Sequence, residues 1–209
     1  AFNALPFPDL LRRAREAETS EVRRLIAPGS LSLSDFATVL SPAATDLLEP
    51  LCGQAQALTR QRFGRVIRLF APLYLSNECI NNCAYCGFSR DNNILRVTLS
   101  VEEVVREARA LGDQGFRNLL LVAGEHPKFV SNGYLRDCIA ALQGWVPSLS
   151  LEVGPMETAD YQPLVAAGAE GLVAYQETYD RDVYARMHTA GPKRNFDWRL
   201  ECPERAAAA

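Results

Sequence analysis

The chain holds only two histidines, His126 and His188, and neither stands near cysteines at the spacing of a zinc finger. It has no apolar run approaching the roughly 20 residues that span a bilayer, which excludes a membrane helix within the sequence. Basic residues are not in excess. Lys and Arg number 22 against 25 Asp and Glu, the formal net charge is −3 and the pI is near 5.5. With no basic stripe, a nucleic-acid footprint is not expected. No cationic and apolar signal pattern opens the sequence, and no repeat, low-complexity tract or linker interrupts it.

What remains is an ordinary globular composition, 48% hydrophobic and 22% charged, with an unusual grouping of sulfur. Of six cysteines, Cys79, Cys83 and Cys86 fall within the stretch APLYLSNECINNCAYCGFSR, spaced Cys-x3-Cys-x2-Cys. Thiolate sulfur is the standard protein ligand of an iron–sulfur cluster, and three cysteines leave one iron of a four-iron cluster open to another molecule. Three alternatives stand beside it. A structural zinc site would need a fourth ligand. Cys83 and Cys86 alone form a Cys-x2-Cys redox pair. The spacing also follows one helix face, so three core cysteines fit it too, although Asn77, Asn81, Asn82 and Gly87 favour a loop. Clustered cysteines of this kind suit a reducing cytoplasm better than a disulfide framework. Cys52, Cys138 and Cys202 lie in or beside helical patterns and are expected as small packing residues.

The first 68 residues predict a small helical layer. Pro8–Ala27 reads as helix with a break and N-cap at Thr19-Ser20, Ser32–Val39 as a capped helix, and Ser41-Pro42 as the start of a helix through Arg62. The run Arg12, Arg13, Arg15 is expected as a solvated face. From Arg68 the pattern changes to alternating strands and helices. Ile67–Ser76 predicts a buried strand, Ser100–Gln114 a helix with Ser100 as N-cap and Glu103 completing a capping box. Strands follow at Arg117–Ala123, Leu149–Val153 and Gly171–Tyr175. Helices follow at Gly133–Trp145, Ala159–Ala167 (ended by Gly168) and Pro203–Ala209. Such βα units imply a parallel sheet, and four of them make half of an eight-unit barrel. The expected architecture is therefore α/β, a helical region over 1–68 and a half barrel over 69–209.

Function in such barrels gathers at the C-terminal ends of the strands. The cysteine loop follows the first strand, Gly124-Glu125 the second, Gly154-Pro155 the third and Gln176–Tyr179 the fourth. Glu125 behind a glycine suits a cationic amino group, although an ordinary loop carboxylate fits as well. Glu152 lies on the third strand, where its side depends on register.

Cys-x3-Cys-x2-Cys with an aromatic, Tyr85, before the last cysteine resembles the cluster motif of radical S-adenosylmethionine (SAM) enzymes. The wider series LFAPLYLSNECINNCAYCGFS, LLLVAGEH, LEVGPM, AYQETY and FDWRLECPER resembles one subfamily, the tyrosine lyases of thiamine biosynthesis (2-iminoacetate synthases). The tyrosine lyase of hydrogenase maturation is the near relative of that subfamily. The resemblance is strong from Leu69 onward and looser before it. It implies a radical SAM barrel. It also implies a 4Fe–4S cluster on Cys79, Cys83 and Cys86, with Tyr85, Gly124, Glu125, Glu177 and Arg199 around SAM. Glu125 would take the methionine amino group, in a turn where Ala123 replaces a glycine. Arg199 would take the carboxylate with its fork. In the segment MHTAGPK, His188 and Lys193 are the candidate catalytic residues near the amino-acid substrate. Asp180 stands where the family often has histidine.

The implied activity is reductive cleavage of SAM to a 5′-deoxyadenosyl radical, which splits L-tyrosine at Cα–Cβ into p-cresol and dehydroglycine for the thiamine thiazole. An electron donor such as flavodoxin or ferredoxin is implied, with thiazole synthase as a further partner. Because the family is longer, the chain is expected to be a fragment cut at both ends, whose own activity is an open question. A zinc-stabilised binding module without catalysis is the alternative from another class.

Overall fold

The computed structural model describes residues 2–26, 29 and 31–209. They form two compact units, residues 2–67 and residues 68–209.

The first unit is helical. Helices α1 (Phe7–Glu16), α2 (Thr19–Leu25), α3 (Leu33–Val39) and α4 (Leu48–Phe63) follow in chain order, with a 3-10 turn over Pro42–Leu47 before α4. Thus the helix opened by Ser41-Pro42 divides at Leu47. Val22, Ala44 and Leu47 form its small core. The cap of α2 is Glu18 in a reciprocal box with Glu21, not Thr19 or Ser20, because those two already have helical backbone. Ala27, the expected end of that helix, lies outside the described residues. Ser32 caps α3 with Asp35. Arg13 departs from the expected solvated run. Its guanidinium meets Glu21 at 2.9 Å and the Thr38 hydroxyl at 2.9 Å.

The second unit is α/β. Strands β1 (Ala71–Ser76), β3 (Asn118–Ala123), β4 (Ser148–Glu152) and β5 (Ala169–Leu172) form one parallel sheet in that spatial order. Helices α5 (Val101–Asp113), α6 (Asn132–Leu142) and α7 (Thr158–Ala167) connect them. Ser100 caps α5 in a box with Glu103, and Gly168, at φ +118°, ends α7. The register aligns Leu73, Leu121, Leu151 and Leu172 across the sheet. With Leu75, Leu119 and Leu149 they pack on Val104, Ala108, Leu135, Ile139, Leu142 and Leu164 of the helices. Four parallel βα units with helices over one face are half the complement of an eight-stranded barrel.

Several expected boundaries move. The first strand begins at Ala71. Ile67, Leu69 and Phe70 are exposed, and so is Tyr74, since only alternate residues of β1 face the helices. The second βα helix starts at Asn132 behind the N-cap Ser131 and ends at Leu142, because Gln143 turns to extended backbone. The last strand is Ala169–Leu172, so Val173–Tyr175 already belong to its exit loop.

Beyond β5 the chain forms α8 (Arg181–Met187), α9 (Phe196–Leu200) and α10 (Cys202–Ala207). Between α8 and α9 lies a short strand, β6 (His188–Ala190). It pairs antiparallel with β2 (Asn82–Cys83), which lies inside the cysteine loop. Cys138 and Cys202 are fully buried, as packing residues would be, whereas Cys52 is exposed.

Candidate metal and cofactor site

The sheet carries its site on the face away from α5, α6 and α7. Tyr74, Val122 and Glu152 are successive register partners on β1, β3 and β4, and all three line one cavity of about 350 Å³. Register thus resolves the side of Glu152. Around the strand ends the wall is completed by Cys79, Cys83, Cys86, Tyr85, Gly124, Glu125, Gly154, Tyr175, Glu177, Lys193 and Arg199. Of the ten residues that the resemblance implied for cluster, SAM and substrate, His188 alone does not line the cavity.

The cysteine loop is held by its own polar side chains. Cys83 N–H donates to Ser89 Oγ at 2.8 Å, and that hydroxyl donates to the Cys83 carbonyl at 2.5 Å. Asn92 Nδ2 donates to the carbonyls of Cys86 and Gly87. The Arg96 fork donates to the carbonyls of Asn77, Phe88 and Ser89 at 2.7–2.9 Å, closing the loop on itself. This is an irregular turn with one short strand, so the helix-face arrangement of the cysteines does not occur. Among the described residues no three His, Cys, Asp or Glu side chains meet as ligands of one ion. Three thiols lining one open cavity are a donor set that a four-iron cluster takes, each thiolate bonding a different iron. Burial pushes the Cys83 thiol up, so metal must displace its proton.

Glycine is required at Gly124. A Cβ there would run into the Glu78 carbonyl and come within 3.2 Å of Cys79 Cβ, so this residue lets the second strand end close against the cysteine loop. Gly154 does the same for Glu125, whose Cγ would stand 2.6 Å from a new Cβ. Glu125 Oε2 accepts from Asn81 Nδ2 at 2.7 Å.

Across the cavity, Lys193 Nζ lies 2.9 Å from Glu177 Oε1 and 5.5 Å from the Tyr85 ring centre. Burial pushes the Glu177 carboxyl up, but the hydrogen bond and charge of Lys193 outweigh it and hold the group below the usual carboxylate range. Glu152 is raised by burial, with Arg199 opposing. Arg199 Nε donates to the Tyr175 carbonyl at 2.6 Å, which leaves its two terminal nitrogens for an incoming acceptor. Glu177 is also the one non-glycine residue with positive φ (+69°) among the described residues.

His188 stands behind this wall. It is fully buried, and its Nδ1 lies 2.8 Å from the Tyr184 carbonyl. A carbonyl only accepts, so Nδ1 carries the hydrogen. Nε2 then accepts from the Tyr85 hydroxyl at 2.7 Å. Burial lowers the imidazole pKa and keeps it neutral. Both His188 nitrogens are thus engaged inside the chain, one of them by Tyr85 of the cavity wall. The Tyr85 phenol is pushed far above its ordinary range, by burial first and the Glu177 charge second. Asp180 caps α8 by accepting from the N–H groups of Asp182 and Val183.

Sequence reasoning missed Asn81, Arg96 and the β2–β6 pairing. The polar residues interleaved with the cysteines were the available signal for Asn81. Arg96 carried none, since an arginine ten residues past a motif reads as surface.

Comparison with known proteins agrees with this geometry. The chain is 43% identical over 205 residues to the 2-iminoacetate synthase of Escherichia coli K12, a match that covers 98% of this chain and 54% of that protein. HydG, a maturase of the FeFe-hydrogenase, superposes with a TM-score of 0.88 at 31% identity, over 96% of this chain and 46% of that one. HydG from Carboxydothermus hydrogenoformans gives 0.81 at 37% identity, over 90% and 46%. The chain thus spans about half the length of the curated relatives it matches. The radical SAM superfamily, whose proteins bind a 4Fe–4S cluster and S-adenosylmethionine, matches residues 73–209. That span takes in every cavity-lining side chain, and with the three cysteines, the glycine cradle and the parallel half barrel it places this chain in the radical SAM superfamily.

Proposed function

We propose that Cys79, Cys83 and Cys86 hold a 4Fe–4S cluster in this cavity, with S-adenosylmethionine on the iron they leave open. The proposed reaction is cleavage of L-tyrosine at Cα–Cβ to p-cresol and dehydroglycine for thiamine thiazole synthesis. Cluster and SAM together supply reductive cleavage of the sulfonium and a carbon-centred radical able to abstract hydrogen. The chain's own residues bind, orient and shield. Glu125, fixed by Asn81, takes the methionine ammonium. Arg199, with Nε already engaged by Tyr175, offers its terminal nitrogens to a carboxylate. Glu177 and Tyr85 face the remaining SAM surface, and Gly124 allows the close approach. Lys193 brings a cation to the same wall for the amino-acid substrate, neutralised meanwhile by Glu177. His188 acts as a positioning residue that holds the Tyr85 hydroxyl.

The observation that carries this reading is the convergence of the three cysteines, Glu125, Glu177, Lys193 and Arg199 on one cavity at the strand ends. The higher identity to a 2-iminoacetate synthase than to either HydG favours the thiamine enzyme over the hydrogenase-maturation one. Flavodoxin or ferredoxin as electron donor, thiazole synthase as partner and a cytoplasmic setting follow from the same reading. Among the described residues no helix is long and apolar enough to cross a membrane.

Anaerobic reconstitution tests the site. Iron and acid-labile sulfide in equal amounts, lost together when any of the three cysteines becomes alanine, are expected. Zinc without sulfide would instead make the chain the non-catalytic binding module. Incubation with SAM, reductant and tyrosine tests the activity of the chain as it stands, read as 5′-deoxyadenosine and p-cresol. Deoxyadenosine without p-cresol would keep the family chemistry and reject tyrosine cleavage.

A further inference from the structure

Asn81 lies between the first two cysteines and is 2% exposed. A buried amide must have its partners, and Asn81 draws them from its own loop and from two distant stretches of chain. Its Nδ2 donates to Glu125 Oε2 at 2.7 Å, at the end of β3. The same nitrogen stands 3.7 Å from Cys79 Sγ, a sulfur contact. Its Oδ1 accepts from the Lys193 backbone N–H at 2.8 Å, 112 residues away in sequence. The amide orientation is not arbitrary, because a carboxylate needs the nitrogen side and an N–H needs the oxygen side. Space around it is equally restricted. A Cβ on Gly191 would come within 2.7 Å of Asn81 Cα, so only glycine there lets the Lys193 segment close down.

We propose that Asn81 is a positioning residue that couples the three parts of the site, setting the charge density on the Cys79 sulfur while fixing Glu125 and the Lys193 segment. The inference rests on the reading of Cys79 as a cluster ligand. An N–H directed at a cluster thiolate withdraws charge from it and makes the cluster easier to reduce. Through Glu125 the same amide sets the pose of the methionine ammonium. A side chain that only filled space would do neither.

The test uses the reconstituted chain with Asn81→Asp and Asn81→Ser. Asp keeps an acceptor for Lys193 N–H but turns a carboxylate oxygen toward Glu125 and Cys79. Ser is neutral, fits the space and reaches neither. Both are expected to shift the cluster midpoint potential negative, Asp further than Ser. Both are also expected to weaken SAM binding, read as quenching of the cluster absorbance or its EPR signal, on the order of tenfold to a hundredfold. Parental potential and SAM affinity in a cluster-loaded variant would overturn the inference and leave the cluster reading intact. If Asn81→Asp takes up no iron, the Asn81→Ser potential decides alone, and should Ser also fail to load, parental potential and SAM affinity in Asn81→Gln, whose longer amide cannot keep all three contacts, would overturn it. A parent chain that binds no cluster would remove the cluster reading and this inference together.

Discussion

Glu177 concentrates several costs in one residue. Its backbone is left-handed without being glycine, its carboxyl is two-thirds withdrawn from water, and a lysine stands against it. Because Lys193 holds the folded pKa below the unfolded value, folding favours the ionised form. The contribution is fully present above the unfolded carboxylate pKa of about 4.3 and is lost as pH falls through the lower folded value. Glu177→Gln is expected to cost about 0.5–1.5 kcal/mol at neutral pH, allowing for the solvent-open third of the carboxyl. Urea melts at falling pH should show the gap to the parent closing below about pH 4. At this scale the sequence was informative where chemistry is local. Cys79, Cys83 and Cys86 announce themselves by spacing, and Glu125 by the glycine before it. His188 and Asn81 did not, because their partners Tyr85, Glu125 and Lys193 lie 44 to 112 residues distant.

Among elements, the loop from Asn77 to Arg96 is the one whose shape the site depends on, and it contains almost no regular structure. Its order comes from Ser89, Asn92 and above all the Arg96 guanidinium among loop carbonyls. Arg96→Lys keeps the charge and loses the fork, so several carbonyls lose their donor. A loss of about 1–3 kcal/mol in stability is expected, with faster proteolysis between Cys86 and Arg96 in the apo chain and lower cluster retention on gel filtration. Elements with self-contained signals were legible: the capping boxes at Ser32 and Ser100 and the glycine stop at Gly168 each mark a boundary the structure reproduces. Of the segment after β5, only α10 was legible, as the helix expected over Pro203–Ala209. Helices α8 and α9 have seven and five residues, too short to show a period, and β6 is a strand only because β2 is there to pair with it. The apolar run before Ala71 misled for the opposite reason, since β-branched and aromatic residues mark a strand whether or not a neighbour exists.

Over the whole of residues 68–209, one leucine-rich layer between sheet and helices carries the fold, with β3 at its centre. Leu121, fully buried and paired on both sides, is the natural probe. Leu121→Ala is expected to cost about 2–5 kcal/mol by chemical denaturation. It should leave the cavity-facing row of Tyr74, Val122 and Glu152 chemically unaltered. The alternation of βα units made this architecture visible in advance. The half-barrel count followed from periodicity, while the cavity on the opposite face needed register to be seen.

The antiparallel ribbon of β2 and β6 bears on how the protein comes into being. Thr189 Oγ1 donates to the Asn82 carbonyl across 107 residues of chain, and Cys83 sits opposite His188. At ordinary translation speeds of about 5–20 residues per second, about 5–20 s separate synthesis of the third thiol from synthesis of the strand that braces it. Iron supplied during that interval would meet three thiols that still lack the strand that braces their loop.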